Sequence, residues 1–145
     1  MSTEAGICFN FRDRVLPSSL VRALAESGWG CDLDGTIGLL SSDSFNDGEW
    51  ETVACKDLSH LLRWAEPFDT VAGGLGFLIV HRASGIGGTM VMDQSRNSLS
   101  WGISVNIPHI DSDRMLVDFS KCLSLVWPAI KLANLNVVSI DMHVE

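Results

Sequence analysis

The sequence predicts an α+β fold: an antiparallel-rich sheet with about three helices packed mainly on one face. Three observations lead there. The chain has 145 residues, the size of one ordinary domain, so residues 1–145 are read as a single globular unit. Hydrophobic residues make up 46% and charged residues 19%, which supplies a core without help from disulfides or metal. The element signals run β-α-β-β-α-β-β-β-α-β. Consecutive strands of that kind suit a meander, not the strict alternation of a doubly wound parallel sheet.

Ile7 to Phe11 is a short β-prone run. Leu16-Pro17-Ser18-Ser19 then opens a helix, because Pro suits a first turn and Ser suits a cap. Leu20, Val21, Leu24 and Ala25 give it an apolar stripe, and Gly28 stands where a glycine stop belongs. Trp29 to Leu40 reads as a hairpin, with Asp34-Gly35 as its tight turn. Ser41 to Glu49 is turn chemistry throughout apart from Phe45. Asp57 is placed to cap a helix from Leu58 to about Glu66, which Pro67 ends.

Leu75 to His81 is a strong strand after the Gly73-Gly74 turn. Thr89 to Met92 and Leu99 to Val105 pair through the polar connection Asp93 to Asn97, and the second strand alternates apolar with small or polar residues. The longest helix is expected from about Ser112 to Ala133, with Pro128 kinking it near Ser124. Val137 to Val144 closes the chain as a strand.

Charge is the most uneven property. The formal net charge is −8, and −7 of it falls between residues 32 and 69, where nine acids face Lys56 and Arg63 alone. Such a surface repels phosphate backbones, so direct nucleic-acid binding is not expected. It attracts a basic partner and speeds the encounter. No apolar run approaches the roughly 18–20 residues that span a bilayer. The start, Met1-Ser2-Thr3-Glu4-Ala5, lacks the basic and apolar regions of a secretory signal. The expected compartment is the cytoplasm, with no membrane partner. Cys8, Cys31, Cys55 and Cys122 are widely spaced and read as reduced, buried thiols.

Several motifs invite a catalytic reading. Asp32-Leu33-Asp34-Gly35-Thr36 resembles the first motif of the haloacid dehalogenase-like phosphatases. That resemblance implies Asp32 as nucleophile and Asp34 as general acid/base, with Mg²⁺ neutralising carboxylates and phosphate. It also implies a long, buried, apolar strand before Asp32. Here the residues are Gly28-Trp29-Gly30-Cys31, and Asp141 has no following acidic partner. Asp-Gly as a hairpin turn accounts for the same residues. Asp32, Asp34 and Asp43 match the length of a calcium loop, but Gly35 stands fourth where the sixth position needs glycine. His60, His81, His109 and His143 form no metal-ligand spacing, and no cofactor or metal is expected. There is no G-x-S-x-G and no phosphate-binding loop.

The remaining candidate is the acidic and aromatic stretch. Asp32, Asp34, Asp43, Asp47, Glu49 and Glu51 surround two aromatic anchors, Phe45 and Trp50. Aromatic side chains concentrate binding energy, and acids around them set orientation and on-rate. These eight residues are the expected partner-binding surface.

With its size, its acidity, its β-α-β start through Leu16-Pro17 and Gly28-Trp29, and the segment Asp47-Gly48-Glu49-Trp50, the chain resembles small acidic bacterial immunity proteins. The resemblance runs over roughly the first half. It implies a non-enzymatic protein that neutralises a cognate toxin, often a basic nuclease. A Mg²⁺-dependent phosphatase and a structural or oligomer-forming domain that exposes a strand edge are the alternatives. The oligomeric state is not predicted.

Overall fold

The structure is a computed structural model that describes residues 5–30, 36–41, 51–54, 58–111 and 116–144. Among the described residues there are ten strands: β1 (Ala5–Phe11), β2 (Trp29–Gly30), β3 (Thr36–Ser41), β4 (Glu51–Ala54), β5 (Leu75–His81), β6 (Gly87–Met92), β7 (Ser98–Val105), β8 (His109–Asp111), β9 (Leu116–Val117) and β10 (Val137–Val144). The helices are α1 (Pro17–Glu26), α2 (Ser59–Ala65) and α3 (Phe119–Leu132), with a 3₁₀ turn over Glu66–Asp69. The fold is α+β, as expected. The main sheet runs β10-β1-β7-β6-β5-β3-β4, with β2 also on β5, and every described pairing is antiparallel.

Alternation decides which face is buried. Ile7, Phe9, Leu99, Trp101, Ile103, Met90, Phe77 and Ile79 project into one core. Leu20, Val21 and Leu24 of α1, Leu61 and Ala65 of α2, and Cys122, Val126, Ala129 and Ile130 of α3 belong to that same core. Trp29 stands edge-on to Trp101, with ring centroids 5.2 Å apart, and its Nε1 donates to the Leu125 carbonyl at 3.3 Å. The opposite face of β1 and β7 carries Gly6, Cys8 and Asn10 beside Ser100, Gly102 and Ser104.

Two expectations need correction. Residues 29–40 are not a hairpin. Both β2 and β3 lie antiparallel along the same edge of β5, with Trp29 opposite His81, Gly30 opposite Val80 and Gly38 opposite Leu78. They therefore run in the same direction. An unbroken ladder would bring residue 32 opposite Leu78, and Gly38 stands there instead. The ladders on β5 therefore set the direction of β2 and β3, and Asp34-Gly35 lies outside the described residues. The hairpin partner of β3 is β4, in the register Thr36–Ala54 and Leu39–Glu51.

The last helix starts at Phe119, not near Ser112. Asp118 accepts from the Lys121 N–H at 3.0 Å and caps the helix there. Leu116 and Val117, which fit the helical stripe, form β9 against β8 instead. Pro128 lies inside the helix, where it has no N–H to donate. The proposed Asp57 cap of α2 lies outside the described residues, and Leu58 is the N-cap residue, with no side-chain bond.

Helix α1 is capped from a distance. Leu16 precedes it and offers no polar side chain, while Pro17 opens the first turn. The carboxylate of Asp69, at the end of the 3₁₀ turn, accepts from the Ser18 backbone N–H at 3.0 Å and also from the Ser18 hydroxyl. An anion at that end also meets the positive pole of the helix. Asp69→Asn is expected to cost about 1–2 kcal/mol of stability in urea denaturation. A value near zero would mean the contact does not hold in solution.

Candidate interaction surface

The two ends of the sheet differ in chemistry. One end is β3 and β4, within the acidic segment. Of the eight residues expected to bind a partner, Glu51 begins β4 with its backbone opposite Leu39. Asp32, Asp34, Asp43, Phe45, Asp47, Glu49 and Trp50 lie outside the described residues. Strands β3 and β4 pair as an antiparallel ladder, and residues 42–50 join them in sequence. Five of the expected residues thus belong to the connection at this end, and Asp32 and Asp34 belong to the stretch between β2 and β3.

Not every acid of the segment is available to a partner. Asp69 is engaged by Ser18. Glu66 is exposed on the same 3₁₀ turn. Behind that turn sits Arg96, a fully buried cation in the connection between β6 and β7. Its guanidinium donates to the carbonyls of Asp93 (2.6 Å), Phe68 (3.3 Å) and Val71 (3.4 Å), and stands 6.0 Å from the centre of the Phe68 ring. Burial lowers its pKa, and Arg14 adds repulsion, while Asp93 and Asp69 act the other way. Its backbone carbonyl accepts from Val15 N–H at 2.9 Å. One residue thus ties the β6–β7 turn to the chain before α1 and to the 3₁₀ turn. Nothing in Asp93-Gln94-Ser95-Arg96-Asn97 signals burial, since the sequence reads as a solvated turn.

Cys31 and Cys55 lie outside the described residues, which include His60, His81, His109, His143, Cys8 and Cys122. His81 is half-buried, edge-on to Trp29 at 5.5 Å, with Nδ1 2.9 Å from the Ser84 hydroxyl. Desolvation lowers its pKa. The Cys122 thiol is buried and is pushed up to about 11, chiefly by desolvation and then by Asp118. Cys8 is half-exposed, not buried as expected, because it lies on the face of β1 opposite Ile7 and Phe9; its sulfur accepts from the Ser100 hydroxyl at 3.6 Å. Among the described residues no three His, Cys, Asp or Glu side chains gather as metal ligands. Also among them, no helix is long and apolar enough to cross a membrane.

The other end is β10, with α3 beside it. On the face away from the helices, Asn10 donates to Ser139 (3.0 Å) and Asp141 (3.2 Å), and the His143 ring lies over Gly6. A shallow depression of about 410 Å³ opens there between Gly6, Thr89, Ser100, Gly102, Ser104 and His143. On the helix side, Trp127 of α3 is partly exposed above Ile140 and Leu123. The two ends thus differ: β3 and β4 fall within the acidic segment of the sequence, and β10 carries exposed apolar side chains. Comparison of the chain with protein-family models, with curated proteins and with solved structures finds no match.

Proposed function

We propose that this is a binding protein of the immunity type, which neutralises a basic toxin enzyme by laying the acidic segment 32–69 across it. The observation that carries this reading is the charge: −7 of the net −8 falls within that one segment. An enzyme that handles a phosphodiester presents cations to its substrate. Carboxylates that replace the phosphates occlude the site, and the field between the two proteins raises the on-rate. Phe45 and Trp50 supply the apolar anchors. The described part of the segment supports the reading in two ways. Strands β3 and β4 form an end of the sheet, and the Asp69–Ser18 link secures the 3₁₀ turn that closes the segment.

The partner to test is a toxin encoded beside this protein. The chain should inhibit that enzyme, in competition with its nucleic-acid substrate. Replacing Asp43, Asp47 and Glu49 with Asn, Asn and Gln should relieve the inhibition. Equal inhibition by the variant would remove this surface from the account. The phosphatase alternative makes an opposite claim. It requires Mg²⁺-dependent turnover of phosphate esters that disappears in Asp32→Asn, and the binding reading expects no turnover in either protein.

A further inference from the structure

We infer that β10 is a dimerisation edge, pairing antiparallel with β10 of a second copy of this chain. The inference goes beyond the acidic surface and is independent of it.

Among the described residues β10 pairs with β1 alone, so its outer backbone groups lack partners along one side. Such an edge recruits another strand unless something blocks it. Val137–Val144 contains no Pro, Lys or Arg; the blocks it does carry are a bulge near its start and Asp141, whose carboxylate accepts from Asn10 on the face of the sheet. The one irregularity is a bulge at Val138, since Asn10 faces Ser139 and Phe11 faces Val137. Ser139 to Val144 is a regular edge.

The side chains also declare a preference. Val144, Met142 and Ile140 lie opposite Ala5, Ile7 and Phe9, whose side chains are buried under the helices. All three therefore point to the helix side. Met142 is nevertheless 44% exposed and Val144 49%. On α3, Trp127 is 37% exposed and lines a shallow groove with Leu123 and Ile140. Met142 and Val144 are thus apolar side chains left exposed on an edge that has no second strand among the described residues.

A second copy fits because the strand is complementary to itself. With Met142 on the two-fold axis, Ile140 faces Val144 of the copy, and Asp141 faces its His143. The Asp–His pair occurs twice, once on each side of the axis. Centring on Asp141 instead would set two carboxylates opposite each other, which disfavours that register. Directly opposed residues share a face, so the axis is perpendicular to the sheet. The two α3 helices then lie on the same side, and their Trp127 side chains flank a floor made of both β10 strands. The acidic ends, at β3 and β4, stay free at the far edges of the joined sheet.

Sedimentation equilibrium of the full chain tests this. The expected mass is twice 15.8 kDa across the micromolar range. Met142→Lys, which places two ammonium groups across the axis, should give a monomer with unchanged circular dichroism. His143→Asp sets carboxylates opposite each other and should dimerise about tenfold more weakly. Adding Asp141→His to it should restore the dimer, because that register then regains opposite partners. A wild-type monomer throughout the range would overturn the inference. So would a dimer that survives Met142→Lys, or a double variant no tighter than His143→Asp.

Discussion

Arg96→Ala is expected to lower the stability by about 3–5 kcal/mol in urea denaturation, among the largest losses open to a single substitution here. The guanidinium is fully buried and donates to three carbonyls from two separate parts of the chain. Alanine leaves those carbonyls facing a cavity, and each unpaired group costs about 1–3 kcal/mol unless water enters to replace the donor. The backbone at Arg96 is also at φ +62°, a conformation that glycine takes without cost. Comparison of two variants therefore separates side chain from backbone. Arg96→Gly relieves the backbone and loses the same bonds, so it should remain strongly destabilised. Arg96→Lys keeps the charge but not the planar fork, and should fall between wild type and alanine. If Arg96→Gly were as stable as wild type, the bonds would contribute nothing and only the φ angle would matter.

Gly88→Ala is expected to be about as damaging, at roughly 4 kcal/mol, equivalent to a fall in Tm of about 10 °C. Gly88 sits at the bulge where β6 meets β7, and its Cα faces the neighbouring backbone. A methyl group there would overlap the Gly102 carbonyl oxygen, and that carbonyl belongs to a strand locked between β6 and β1. The obstacle is backbone, so it cannot rotate away. The neighbouring strand would have to separate, which breaks ladder bonds in the middle of the sheet. Gly102→Ala is the control. The same addition at Gly102 meets only the Thr89 carbonyl at 3.9 Å, an ordinary contact, and should change stability by less than about 1 kcal/mol. Thermal unfolding of the two variants side by side reads the difference. Equal midpoints would show that β6 and β7 are not as close as described.

The strands that the sequence revealed are those whose alternation and turns agree. Leu99, Trp101 and Ile103 point to the core while Ser100, Gly102 and Ser104 do not, and β6 meets β7 across the polar Asp93–Asn97 connection as the pattern implies. Val137 to Val144 is a strand for the same reason. Where local and long-range preferences conflict, the sequence misleads. Asp34-Gly35 is a strong hairpin signal, yet β2 and β3 both align on β5, and no local pattern encodes that choice. Leu116 fits both a helical stripe and a strand. The cap at Asp118, close to the apolar run, decides between them.

Of the candidate surface, charge was legible and geometry was not. A count of acids locates the excess at residues 32–69, but only the coordinates reveal that Asp69 is committed to Ser18. Arg96 had no signal at all, because a polar five-residue turn looks solvated whichever way its arginine points. The exposed edge of β10 depends on strand order, which alternation cannot supply.

In the binding function proposed above, the acidic segment drives capture of a basic partner. The association rate constant with the toxin encoded beside it, measured against ionic strength, tests this most directly. Opposite charges at an interface give a rate that falls steeply as salt shortens the screening length to about 8 Å at physiological strength. The wild-type chain is expected to show that steep slope. The Asp43, Asp47 and Glu49 neutral variant should associate at least about tenfold more slowly at low salt, with a flatter slope. A variant that matches the wild type in both rate and slope would contradict it.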